Sequence, residues 1–270
     1  MASFDTFQKL NEHPDWIAPR SDLRVFLGEP GAPEATKTTV EPGNAFSPGM
    51  CTFGVTWWLR FPDSGTFFAP ETAPLESLKW HYENGYLPLL HCEIQVEGLA
   101  VQHSLFQDGT ASERSEAVCG RLQLTNTHLA AVSVQVFIAL RSLGPAGGPV
   151  RDLRVGDEGR CFWLALRDLP LLGTDRVPDA VGCGVGDPSP LARAGQVPTE
   201  RTVSDPHGWC FGLARFDVTL PAFGTWQVHL DCPQQTYGNL QDDLPSAVTL
   251  RPEQYDARAE ANLARWRTRL

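Results

Sequence analysis

Apolar and polar residues alternate with a period of two in short runs along most of this chain. The clearest run is "LPLLHCEIQVEGLAVQHSLFQDG", residues 87–109. Glu97-Gly98 divides it, and glycine tolerates the positive φ that a two-residue hairpin turn requires. That turn predicts a register: Val96 faces Leu99, Ile94 faces Val101 and Cys92 faces His103 on one side. Glu93, Gln95, Ala100 and Gln102 fall on the other. One apolar and one polar side is the pattern of a half-buried antiparallel sheet.

The run "AVCGRLQLTNTHLAAVSVQVFIALRSL" repeats the theme. Leu122 and Leu124 alternate with Arg121, Gln123 and Thr125. Val132, Val134 and Val136 alternate with Ser133 and Gln135. Asn126-Thr127-His128 reads as the turn of a second hairpin, which ends in the loop "GPAGGP". That loop lacks the helix and the GK[ST] ending of a phosphate cradle. It reads as a rigid connection at one end of a sandwich, shaped to meet something else.

Further strands are predicted in "DLRVFLGEPGAP", "CTFGVTWWLRF", "RCFWLALRD", "WCFGLARFDVTLP" and "GTWQVHLDCP", with turns between them. Residues 169–208 read as a long Pro/Gly-rich stretch. The one convincing long helix is last, in "RPEQYDARAEANLARWRTRL". Pro252 suits its first turn. Tyr255, Ala259, Leu263, Trp266 and Leu270 make one apolar stripe, which needs a surface to pack on. That surface is either the chain's own sandwich or a further domain.

Many short strands without a fixed repeat predict an all-β fold. The expected architecture is a large antiparallel two-sheet β-sandwich over residues 1–250. An amphipathic linker helix over 251–270 follows, leading toward a C-terminal domain.

Composition narrows the function. The 270 residues are 42% hydrophobic and 20% charged, with a net charge of −10. So acidic a chain is a poor partner for nucleic acid, whose phosphates need a basic face. No apolar run approaches the roughly 18 residues of a membrane helix. The first residues have no apolar signal region, so the expectation is a cytoplasmic protein. Seven scattered cysteines, none in CxxC, read as small buried hydrophobes rather than a disulfide framework.

Acid–base chemistry needs paired carboxyls or a histidine beside one. Glu83, Glu93, Asp108, Asp205, Asp242 and Asp243 are available, without distinguishing context. His91 and Glu93, two apart on a strand, share a face. His103 falls on the apolar side, where a packed or hydrogen-bonded histidine is expected, and His207 in "SDPHGW" reads as a turn residue. No HExxH, no paired CxxC and no GxSxG occurs, so no catalytic residue, metal site or cofactor is assigned. Aromatic residues are the remaining signal. Trp57 and Trp58 are adjacent, so on a strand one points to the core and the other to the opposite face. Trp80 and Tyr82 alternate and share a face. These four are the candidates for stacking on a carbohydrate, against core packing as the plainer reading.

The order of "EPGNAFSPGMCTFGVTWWLRF", "NGYLPLLHCEIQVEGLAVQHSLFQD", "GRLQLTNTHLAAVSVQVFIALRSLGPAGGP" and the helix containing "ARWRTRL" resembles a known architecture. It is the N-terminal β-supersandwich of bacterial glycoside-hydrolase-like proteins, the group of glucoamylase-like enzymes and disaccharide phosphorylases. In these a linker helix and an (α/α)6 barrel follow. The resemblance covers about residues 20–270. It implies that the general acid and base belong to the barrel, so none is carried over to this chain. It implies a non-catalytic sandwich that packs on a helical-barrel catalytic domain, or on a separate partner chain, and shapes its cleft. Leu263, Trp266 and Leu270 are then the candidate interface. Two alternatives are a stand-alone carbohydrate-binding module and a mutarotase-like sugar epimerase using His91 and Glu93.

Overall fold

The computed structural model describes residues 16–20, 23–29, 31–109, 117–142, 144–164, 168–234 and 250–269. Its strands, numbered in chain order, form two antiparallel sheets. The first holds β1 (Val25–Leu27), β2 (Thr38–Val40), β3 (Phe46–Ser47), β4 (Gly54–Arg60), β5 (Phe67–Phe68), β10 (Val132–Arg141), β14 (Ala180–Val185) and β16 (Cys210–Leu220). The second holds β6 (Lys79–Glu83), β7 (Leu87–Val96), β8 (Leu99–Asp108), β9 (Ala117–Asn126), β11 (Asp152–Val155), β12 (Cys161–Leu164), β13 (Leu169–Thr174), β15 (Thr202–Ser204) and β17 (Thr225–Pro233). The first runs β1-β2-β3-β4-β10-β16-β14, with β5 on β4. The second runs β15-β11-β12-β13-β17-β9-β8-β7-β6.

The β7–β8 hairpin has the predicted register: Val96 pairs with Leu99, Ile94 with Val101 and Cys92 with His103. Glu97 (φ 47°) and Gly98 (φ 76°) both take positive φ, as a primed turn demands. The inward positions meet alternate residues of the opposite sheet. Val55, Trp57 and Leu59 of β4 and Val136, Ile138 and Leu140 of β10 face Val101, Leu105, Leu122 and Leu124 in one continuous buried core.

The second expected hairpin does not form. β9 lies between β17 and β8 in the second sheet, whereas β10 lies between β4 and β16 in the first. The segment after Asn126 therefore crosses the sandwich. Asn126, fully buried, holds that crossing. Its side-chain amide lies 2.7 Å from the Ala130 carbonyl, 3.2 Å from that of Leu220 and 2.9 Å from that of Pro221. Its Oδ1 accepts the His128 amide. One side chain thus ties the β9–β10 corner to the β16–β17 corner, which also crosses between sheets.

The Pro/Gly-rich stretch 169–208 is more ordered than its composition implies. It supplies β13, β14, a short helix α1 (Ser189–Arg193) and β15. Two glycines of β14 are there for space: a Cβ at Gly182 would sit 1.9 Å from the Pro198 carbonyl oxygen, and one at Gly184 2.5 Å from the Phe211 ring. The "GPAGGP" loop packs on its own chain. Gly148 N–H donates to the Thr52 carbonyl at 2.8 Å, and Ala146 N–H to Ser47 Oγ at 3.0 Å.

The last helix, α2 (Tyr255–Arg267), lies across the outer side of the second sheet, with Tyr255, Ala259 and Leu263 on Leu89, Phe106 and Cys119. Its stripe finds its surface within this chain. Trp266, one of the candidate interface residues, is buried. Leu270 lies outside the described residues. No helix among the described residues is long and apolar enough to cross a membrane.

Candidate functional site

Polar chemistry concentrates on the outer faces of the two sheets. On the first, alternation turns Thr56 and Trp58 of β4 and Arg141 of β10 away from the intersheet core. There they meet Glu71, on a one-turn 3-10 helix at Pro70–Thr72. Glu71 Oε1 accepts from Thr56 Oγ1 at 2.6 Å and from Arg141 Nη2 at 3.1 Å, and Oε2 accepts from Trp58 Nε1 at 3.2 Å. The Arg141 guanidinium lies over the Trp58 ring at 5.4 Å. Its Nη1 donates to the Ile17 carbonyl and stands 3.8 Å from Asp187. Asp187 in turn accepts from the Ser189 amide and hydroxyl. Both carboxyl oxygens of Glu71 and both terminal guanidinium nitrogens of Arg141 are bonded inside the fold.

Glu41 is the exception. It follows β2 directly, is fully buried, and neither of its carboxyl oxygens makes a hydrogen bond. Burial raises its pKa to about 8, and the nearby Glu71 charge adds to the rise. Arg141, the Arg20 main-chain amide and Arg24 lower it by less; the Arg20 amide is near but outside bonding geometry. Glu41 is therefore a neutral acid at pH 7.

On the second sheet, His91 Nδ1 bonds to Ser104 Oγ at 2.8 Å, and Nε2 to Glu83 Oε2 at 3.0 Å. This is a Ser–His–Glu chain, but Ser104 is fully buried and offers no accessible nucleophile. Burial lowers the His91 pKa, against the pull of Glu83. Glu93 shares this face, as the alternation predicts, and its partner is Lys79 at 2.8 Å rather than His91. The Lys79 ammonium holds the Glu93 carboxyl below its ordinary pKa.

Next to this chain, α2 closes the face. The Tyr255 ring stacks on His229 at 5.0 Å and packs edge-on against Phe106 at 5.4 Å. His229 Nδ1 is 2.9 Å from Asp175. Arg258 reaches Asp108 at 2.7 Å and Asp231 at 3.1 Å. Asn262 donates to the Gln107 carbonyl at 2.8 Å.

The sequence candidates are placed as follows. Trp57 and Trp58 do point to opposite faces, but neither is at the surface: their exposures are 1% and 0%. Trp57 lies in the intersheet core, its indole N–H on the Gly43 carbonyl. Trp58 lies in a second cluster with Ile17, Ala69, Phe137 and Ala192. The expectation of one surface tryptophan is corrected by this outer layer. Trp80 and Tyr82 share a face, half-buried against the core, and Trp80 Nε1 donates to Asn44 Oδ1 at 2.7 Å. The four rings form no open row. His103 is buried edge-on to Trp57 at 6.1 Å, and burial pulls its pKa down to about 3. Asp205 accepts the Trp209 amide and Asp108 pairs with Arg258, both structural uses. Asp242 and Asp243 lie outside the described residues. All seven cysteines are free thiols. Among the described residues, no group of three or more His, Cys, Asp or Glu is placed to hold a metal ion.

The fold defines a class: a two-sheet antiparallel supersandwich with a C-terminal helix on one outer face. Its structure is similar to a bacterial glucoamylase crystallised with acarbose, with a TM-score of 0.57 at 9% identity. The match covers 92% of this chain and 37% of the glucoamylase. A putative kojibiose phosphorylase from the human microbiome overlays less well, with a TM-score of 0.38 at 10% identity over 89% of this chain and 28% of that one. The chain thus spans about a third of these proteins. No protein-family model and no curated protein matches its sequence.

Proposed function

We propose that the chain is the non-catalytic β-sandwich domain of a carbohydrate-active protein. It packs on a helical-barrel catalytic domain, in the same polypeptide or in a partner chain, and its loops border the cleft. One observation carries the reading: the sandwich accounts for 92% of this chain and 37% of a glucoamylase of similar fold. The arrangement of polar groups supports it. Glu71, Arg141, His91 and Ser104 are buried, and with the half-buried Glu83 they are spent on internal bonds, which is how a scaffold uses polar residues.

The encoding locus tests the proposal. The expected result is a helical-repeat sequence of barrel size, in the same reading frame or in a neighbouring one. A locus with no such sequence in either place would overturn it.

A further inference from the structure

At one end of the sandwich, neighbouring connections cross from sheet to sheet side by side. In the second sheet β17 lies between β9 and β13; in the first, β16 lies between β10 and β14. The β9–β10, β16–β17 and β13–β14 crossings are therefore adjacent, and the strand registers bring them to the same end. The first presents residues 127–131, all exposed, with Leu129 86% open to solvent. The second presents Pro221, Ala222 and Phe223, also exposed, with Phe223 63% open. The two apolar tips form one patch, because the Asn126 side-chain nitrogen reaches both the Ala130 and the Pro221 carbonyls, at 2.7 and 2.9 Å.

Phe223 stands in the left-handed region, with φ 58°. Asparagine and aspartate tolerate that backbone, and glycine fits it without strain; a bulky side chain does not. The ring belongs to none of the buried clusters. The turn thus holds a large apolar side chain outward at some cost to its own backbone.

Charge decides what fits on the patch. The chain carries a net charge of −10, yet residues 127–131 and 221–225 include no Asp, Glu, Lys or Arg. A surface that meets its own copy brings each charge near its like, so an acidic chain can close on itself only where acids are absent. An anionic lipid surface would call for Lys or Arg instead. The flanks carry opposite signs. On the β8 side lies exposed Glu97, in the turn whose Gly98 carbonyl accepts the Thr127 amide and hydroxyl at 3.0 and 2.8 Å. On the β13 side lies exposed Arg176, its guanidinium 5.7 Å over the Trp226 ring. Asp179, further along, accepts the Asp217 amide.

We propose that this end of the sandwich is the contact between two copies of the chain. The two-fold axis passes between the β9–β10 and β16–β17 crossings. Leu129 and Phe223 of each copy then pack on those of the other, and the Glu97 flank of one meets the Arg176 flank of its partner. The patch is small beside a standard interface of about 20–30 residues a side, so the dimer is weak, with a Kd of about 10–100 µM. The contact is independent of whether the chain also serves a catalytic domain.

Sedimentation velocity of the full chain over the micromolar range tests it. The weight-average mass of the native protein should rise with concentration from one chain toward two. Phe223→Gly relieves the backbone while removing the ring, and Leu129→Asp sets an acid against its own copy. Each should weaken association by about tenfold or more, with an unchanged circular dichroism spectrum. A native chain that stays monomeric throughout, or association that neither substitution weakens, would overturn the contact.

Discussion

The two outer faces of this sandwich are closed by different physics. Over the second sheet, α2 is held by an ion-pair group and a ring stack, while Tyr255 Oη, Asn262 Oδ1 and His229 Nε2 make no hydrogen bond. Arg258 sits between Asp108 and Asp231, Tyr255 stacks on His229, and Asn262 meets the Gln107 carbonyl. Over the first sheet, Glu71 and Asp187 share the Arg141 guanidinium, and Glu41 lies buried nearby, with Arg20 and Arg24 also in its surroundings. There burial, more than any charge, keeps the proton on Glu41. Both faces bury an acid whose pKa is raised; on the second Asp231 has Arg258 beside it, whereas on the first no side chain bonds the Glu41 carboxyl.

Breaking the ion pair of the first face should have the largest effect. Arg141→Met keeps the chain length but leaves the carboxyls of Glu71 and Asp187 buried without their cation. A loss of about 3–5 kcal/mol is expected in urea unfolding at pH 7. On the second face Tyr255→Ala removes the ring between His229 and Phe106. It should cost about 3 kcal/mol and lower the protection of the α2 amides without affecting Trp16–Arg20.

Glu41→Gln separates the two faces by sign. Its folded pKa is raised, so the native protein loses stability as pH climbs from 4.5 to about 8. The variant should therefore be more stable than the native chain by about 4 kcal/mol at pH 8, the difference vanishing near pH 4.5. Equal stability at both pH values would mean that Glu41 already finds a partner. The smallest effect is expected from Glu93→Gln, on the half-exposed outer face of β7. Its pKa is depressed by Lys79, so its contribution is present at neutral pH and fades as pH falls below the ordinary glutamate range. A change within about 0.5 kcal/mol is the expected outcome, because solvent screens that pair.

The hydrophobic pattern made some of this legible. In β7 and β8 the alternation and the Glu97-Gly98 turn fixed the register, because a two-residue loop leaves the strands no other way to pair. The run 117–141 has equally clean alternation, yet its strands belong to different sheets. The difference lies in Asn126, whose amide reaches Leu220 and Pro221 nearly a hundred positions away. Periodicity reports which side of a strand is buried, not which strand lies beside it. β14 was hidden for a related reason: Gly182 and Gly184 erase the alternation where another segment presses close.

The candidate site was less legible still. Glu41 in "EPGN" reads as a turn residue, and Glu71 in "PETAP" as a solvated one. What makes them unusual is their convergence on Arg141, from three separate parts of the chain. The β4 tryptophans were misjudged for the opposite reason. Trp58 is on the outer side of its sheet, as its position relative to Trp57 implies, but a further layer from Ile17, Ala69 and Ala192 covers it. Outward on a sheet is not outward on a protein when a third layer exists.

Catalytic assay of the purified chain is the most direct test of the scaffold reading. Glucose release from maltooligosaccharides and the mutarotation rate of α-D-glucose would be followed for the native protein and for Glu71→Gln. The account predicts no glucose release and no mutarotation beyond the uncatalysed rate in either protein. Turnover by the native chain that disappears in Glu71→Gln would contradict it and make the buried carboxyl group of the first face an active site.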